Sequence, residues 1–174
     1  IRKNKTHSDG RPSGIGGSLH DSALKNLPFQ LTRTQENCLK EIMQDMAKDK
    51  RMVRLLHGDV GSGKTVVAFL AMVSTVDLDY QATLMVPTEI LAQQHYDTIS
   101  PWCEKLGIKC CLLTGSIKAK ERIQTLQDIV TGEVKIVIGT HAIFQPDIKF
   151  QKLAFAVIDE QHKFGVHQRL TLSQ

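Results

Sequence analysis

The stretch Val53–Thr65, VRLLHGDVGSGKT, decides how the rest of this chain is read. Its second half fits the pattern G-x-x-x-x-G-K-[ST] with Gly58, Gly63, Lys64 and Thr65. Its first half is a short apolar run of the kind that enters such a loop as a strand. Gly58, Gly61, Ser62 and Gly63 let the backbone curl until several N–H groups converge on one anion. Lys64 adds a point charge for β/γ-phosphates, and the Thr65 hydroxyl suits Mg²⁺. Val66 to Val76 contain neither Pro nor Gly, so a helix is expected from Lys64, its dipole aimed at the same anion. Strand, loop and helix together predict a nucleotide site.

Composition narrows the setting. A chain of 174 residues, 41% hydrophobic and 23% charged, holds one ordinary globular domain with a real core. No apolar run approaches a membrane span and no secretory h-region is present, so a cytoplasmic protein without a membrane partner is expected, and a monomer. The chain starts at Ile1 rather than Met and stops soon after a rich motif, which reads as a piece of a longer protein. Net charge is +4, but the first thirty residues alone carry five Lys or Arg against two Asp. The basic character is therefore local, and net charge does not by itself argue for nucleic acid. Cys38, Cys103, Cys110 and Cys111 make no C-x-x-C, which favours reduced, buried thiols over zinc or a disulfide framework.

Taken in order, residues 1–26 read as a flexible linker around GRPSGIGGS, with a short helix near Asp21–Asn26. Thr32 and Gln35 have capping-box spacing, so a helix is expected from Arg33 with Leu39, Ile42, Met43 and Met46 inward. The local pattern makes Gln35 a cap, although its amide could also read an adenine edge. Apolar runs then alternate with helices. ATLMV (82–86) is followed by a Thr88 cap and a helix bearing Ile90, Leu91, Ile99, Trp102 and Leu106. Pro101 is expected to kink or restart that helix, capped by Ser100. KCCLL (109–113) leads to a helix with Ile123, Leu126 and Val130 inward, stopped by Gly132. KIVIG (135–139) and FAVID (155–159) follow. With the run before the loop these make five candidate strands, an α/β domain with a mostly parallel sheet. Ligands in such sheets sit at the carboxyl ends of the strands.

Asp159 and Glu160 close the last run. An acidic pair at a strand end is often a solvated turn, but beside a phosphate loop it divides the work: Asp159 holds Mg²⁺, largely through water, and Glu160 deprotonates the attacking water. His162 and His57 read as structural or solvent-facing. The basic segment Lys163–Arg169 suits either nucleic acid or a solvated helix start.

The stretches LPFQLTRTQ, RLLHGDVGSGKTVVA, VPTEILAQQH, LLTGS, IGTHAIFQ and VIDEQHKFGVHQR occur in this order in superfamily-2 helicases. In wording they resemble the RecG family, bacterial ATP-dependent DNA helicases that remodel branched DNA and stalled replication forks. The resemblance covers residues 27–169 and implies a RecA-like P-loop NTPase fold for 27–174, using ATP and Mg²⁺, truncated before motif III. It implies that Phe29 and Gln35 belong to a segment that holds adenine, with Gln35 reading the base. It implies a phosphate cradle at Gly58, Gly61, Ser62, Gly63, Lys64 and Thr65, with Lys64, Asp159 and Glu160 catalytic and Gln161 and His162 beside the nucleotide. Thr88, Gly115, Thr140 and His141 fall in segments that track the backbone of branched or single-stranded DNA. Residues 1–26 resemble the link to an upstream DNA-binding wedge domain, and a second RecA-like domain is the other implied partner. Without that domain's arginine, residues 1–174 alone are expected to be nearly inactive. Lys163 and His167 depart from the family pattern, which bears on coupling to the partner domain rather than on ATP. Related sequences also include transcription-repair coupling translocases, and an alternative for the piece alone is nucleotide and DNA binding without turnover.

Overall fold

A computed structural model describes residues 17–48, 52–59 and 61–159. The chain runs α1 (Ser18–Asn26), α2 (Arg33–Met46), α3 (Lys64–Val76), β1 (Gln81–Met85), α4 (Glu89–Lys105), β2 (Cys110–Leu113), α5 (Ala119–Thr131), β3 (Ile136–Gly139), a 3-10 turn (His141–Phe144) and β4 (Leu153–Ile158). The strands form one parallel sheet in the order β2-β3-β1-β4. Side chains alternate across it, so two cores result. Ile136 and Ile138 of β3 and Leu84 of β1 face the layer of α3 and α4, with α1 and α2 outside α3. Val137 and Met85 face the other side, against Ile129 of α5 and Ile143 of the 3-10 turn. The α/β, mostly parallel architecture is as expected.

Several local expectations hold, each for the stated reason. Thr32 Oγ1 accepts from the Gln35 N–H while Gln35 Oε1 accepts from the Thr32 N–H, a reciprocal capping box. Leu39, Ile42 and Met46 are buried, and Thr88 caps α4 by accepting from the Leu91 N–H. Gly132 ends α5. Among the cysteines, burial pushes the Cys111 thiol up to about 12, and a hydrogen bond with Cys110, then burial, pushes Cys103 up as well. Neither is a ready nucleophile.

Four details differ. The run before the phosphate loop is not a strand: residues 52–59 have no regular structure, and Val53 and Leu55 are 92% and 74% exposed. A strand exists only where a neighbour exchanges hydrogen bonds with it, and this run pairs with no described strand. It is tethered sideways instead, Arg54 binding Glu41 at 2.8 Å and also Asp45 on α2. Hydrogen bonds from Lys48 and Arg54 hold the Asp45 carboxyl below its usual range. Second, α4 is one continuous helix with Pro101 inside it, so Ser100 is no cap; only one ladder donor is lost, and Ile99 and Cys103 bury the face that flanks it. Third, α5 is rotated from its expected face: Ile123 is 71% and Val130 45% exposed, while Ile129 and Asp128 are buried. Asp128 tolerates this because Lys109 Nζ (2.9 Å) and Gln124 Nε2 (2.7 Å) donate to it. Fourth, α1 begins at Ser18 rather than Asp21, since Asp77 Oδ2 at the end of α3 accepts from the Leu19 N–H at 3.1 Å.

Two positions fix the sheet tightly. The buried Gln81 amide donates to Ile129 and Val134 carbonyls and accepts from the Lys152 N–H, satisfying all three links across 2.8–2.9 Å. Gly139 faces the β2 backbone so closely that a Cβ there would lie 1.9 Å from the Leu113 carbonyl oxygen. Gly139→Ala is therefore expected to destabilise the fold by about 1–3 kcal/mol, the range for overpacking. A urea midpoint unchanged from the parent would show that β2 yields freely.

Candidate functional site

Parallel pairing places the ends of all four strands along one edge, and each polar segment follows a strand there: Thr88 after β1, Gly115 after β2, Thr140 and His141 after β3, Asp159 after β4. The glycine-bearing segment 61–63 leads directly into α3, which opens at Lys64 as expected. Gly61 and Gly63 sit at φ 81° and 79°, a left-handed backbone that glycine alone adopts at little cost.

The loop is held from two sides. Lys64 Nζ donates to the Gly58 and Asp59 carbonyls, both at 2.7 Å, so its ammonium is folded back into the loop. From α2, Gln35 Nε2 donates to the Ser62 carbonyl at 3.0 Å, and a Cβ at Gly63 would lie 2.2 Å from the same nitrogen. Gln35 thus serves the cap with its oxygen and the loop with its nitrogen. Each atom keeps one further site, a lone pair on the oxygen and a hydrogen on the nitrogen, that an adenine edge could use. Phe29 lies elsewhere: its ring meets Trp102 of α4 edge-on, centroids 6.2 Å apart, and borders an open groove of about 730 Å³ between α1 and α2.

At the end of β4 the Asp159 N–H donates to the Met85 carbonyl at 2.9 Å, which seats the residue against β1. Its Oδ2 lies 3.0 Å from His95 Nε2. A carboxylate only accepts, so Nε2 carries the proton of this bond. The sequence reading passed over His95, yet a signal was there. It lies between Ala92 and Ile99 on the buried stripe of α4, where a polar side chain requires a partner. A Mg²⁺–nucleotide site takes one or two carboxylates plus hydroxyl, water and phosphate oxygens. Thr65 and Asp159 supply hard oxygen donors of that kind, so the residues fit the ion. No cluster of three His, Cys, Asp or Glu suited to a metal exists among the described residues, and this chemistry does not need one. Glu160, Gln161, His162, Lys163 and His167 lie outside the described residues.

Thr88, Gly115 and His141 are exposed at the strand-end edge, while Thr140 is 3% exposed and donates its N–H to the Leu113 carbonyl. Glu89 Oε1 accepts from the Ser116 N–H at 3.0 Å, tying the start of α4 to the loop after β2. His57 is exposed, and His20 is a satisfied core histidine, its Nδ1 2.8 Å from Ser74 Oγ.

A family model described as DEAD/DEAH box helicase matches residues 32–173. The chain is 50% identical over 156 residues to an ATP-dependent DNA helicase RecG from Haemophilus influenzae, covering 90% of this chain and 22% of that protein. It is 49% identical over 173 residues to the RecG of Streptococcus pneumoniae, covering 96% of this chain and 26% of the relative. It therefore spans about a quarter of the length of these relatives. A solved structure of RecG bound to a three-way DNA junction superposes with a TM-score of 0.83 at 43% identity, over 90% of this chain and 22% of that one. The helicase MrfA bound to DNA and AMPPNP, 19% identical over 80% of this chain and 19% of its own, shares the fold at a TM-score of 0.56.

Proposed function

Because this chain belongs to the DEAD/DEAH box helicase family, we propose that it is the first RecA-like, ATP-binding motor domain of a DNA helicase that remodels branched DNA and stalled forks in recombination and repair. The observation that carries the reading is the loop Gly58–Thr65 itself. It is glycine-curled, lysine-bearing and placed at the N-terminus of α3, where backbone donors and the helix dipole suit phosphate. Identity near one half to RecG proteins favours this family over transcription-repair coupling translocases.

In the proposed mechanism, Lys64 leaves the Gly58 and Asp59 carbonyls for the β/γ-phosphates, and the loop N–H groups hold the rest of the chain of phosphates. Thr65 and Asp159 would hold Mg²⁺, Asp159 largely through water, and the bound ion would supply neutralisation of charge developing on the γ-phosphate. Glu160 orients and deprotonates the attacking water, with Gln161 and His162 beside the nucleotide. Thr88, Gly115 and His141 would border the path of a DNA backbone, engaged through N–H groups and hydroxyls without base reading, while the buried Thr140, its N–H held by Leu113, would secure the segment that carries His141. A second RecA-like domain closes the other side of the cleft, and a wedge domain lies upstream of the linker, within one cytoplasmic, monomeric polypeptide. Among the described residues no helix is long and apolar enough to cross a membrane.

Base choice tests this assignment. Gln35→Ala is expected to erase a preference for ATP over GTP in equilibrium titrations of the chain, leaving the triphosphate contacts intact. Loss of about 1 kcal/mol of stability with selectivity unchanged would make Gln35 a helix cap and loop tether only.

A further inference from the structure

We propose that His95 is a positioning residue for Asp159, setting the orientation of its carboxylate for the metal-bound nucleotide. The inference rests on the nucleotide reading above and adds to it a residue on a different element, α4. Three observations carry it. His95 Nε2 and Asp159 Oδ2 are 3.0 Å apart across 64 residues of sequence. The His95 side chain is 14% exposed and the Asp159 side chain 37%, so the imidazole is the more enclosed partner and the carboxylate keeps access to solvent. The histidine's backbone is fixed independently, since α4 is anchored by Ala92, Ile99 and Cys103, all 0% exposed.

A carboxylate at a strand end has a free torsion about its Cα–Cβ and Cβ–Cγ bonds, and both settle when one oxygen accepts from a donor on a rigid helix. The Met85 carbonyl fixes the Asp159 backbone, and His95 fixes its side chain. Partners of this kind orient ligands to metals, and their loss characteristically costs ten- to a hundredfold in metal affinity. The same helix is capped by Thr88 and begins at Glu89, whose carboxylate accepts from the Ser116 N–H. α4 thus reaches the Asp159 carboxylate through His95 and the loop after β2 through Glu89.

The test compares His95→Gln with His95→Leu on the 174-residue chain, reading the Mg²⁺ concentration needed for half-maximal binding of a fluorescent ATP analogue. Gln places an amide N–H about where Nε2 lies, whereas Leu fills the space without a donor. His95→Leu is expected to raise the Mg²⁺ requirement about tenfold, with binding of the Mg²⁺-free nucleotide unchanged and His95→Gln close to the parent. A Leu variant equal to the parent would overturn the proposal, as would Gln and Leu variants that fail equally. An Asp159→Asn control separates the two levels. If it leaves the Mg²⁺ requirement unchanged, the assignment of Asp159 to the metal fails, and the positioning role fails with it. If it raises the requirement while His95→Leu does not, only the role of His95 is lost.

Discussion

Glu160→Gln is expected to lower ATP turnover by about 10²–10⁴-fold while leaving nucleotide affinity unchanged, the span that a positioned general base contributes. The substitution keeps the size and polarity of the side chain but removes its capacity to accept a proton. Glu160 directly follows Asp159, which β4 delivers to the strand-end edge, so in the proposed mechanism one residue would serve the ion and the next the water. The measurement is DNA-stimulated phosphate release by a protein joining this chain to a second RecA-like domain, together with nucleotide binding by the same protein. Turnover within a few-fold of the parent would place the base elsewhere. A fall in affinity that matched the fall in turnover would make Glu160 a binding residue.

Lys64→Ala is expected to weaken Mg²⁺–ATP binding ten- to a hundredfold. A charge-assisted bond contributes about 1.5–3 kcal/mol, and a tenfold change in affinity corresponds to about 1.4 kcal/mol. The lower part of that range reflects the exchange seen in the structure, where Lys64 gives up two carbonyl partners at 2.7 Å before it reaches phosphate. The alanine variant also frees those carbonyls to water, so the fold should survive, its core resting on Val66, Phe69 and Leu70 rather than on Lys64. Equal affinity of parent and variant by titration calorimetry would show that the loop does not hold the phosphates.

What the sequence revealed and what it hid divide along the range of the interactions concerned. The Thr32–Gln35 box, the Thr88 cap, the start of α3 at Lys64 and the stop at Gly132 depend on contacts within four residues, and each is present as expected. The parallel sheet was legible too, because its strands are short apolar runs whose periodicity changes at every helix. The misreadings arose where a distant partner decides. α1 starts early because Asp77, from the end of α3, caps it. α5 turns Asp128 inward because Lys109, just ahead of β2, compensates the charge. Val53–His57 has strand composition but no described neighbour to pair with, and Arg54 ties it to α2 instead. The site followed the same division. Spacing alone singles out Lys64, Thr65 and Asp159 as candidates, whereas the His95–Asp159 bond joins residues 64 apart and has no local pattern. Gln35 was read as either cap or base reader; the structure adds its bond to Ser62, a third role no local pattern encodes.

A crystal structure of the chain with Mg²⁺ and a non-hydrolysable ATP analogue would show whether Gly58–Thr65 cradles the phosphates of ATP. The triphosphate is expected inside the loop, with Lys64 Nζ moved from the Gly58 and Asp59 carbonyls to the β- and γ-phosphates and the Gln35 amide on the adenine edge. A nucleotide bound away from the loop, with Lys64 still on its two carbonyls, would contradict that placement.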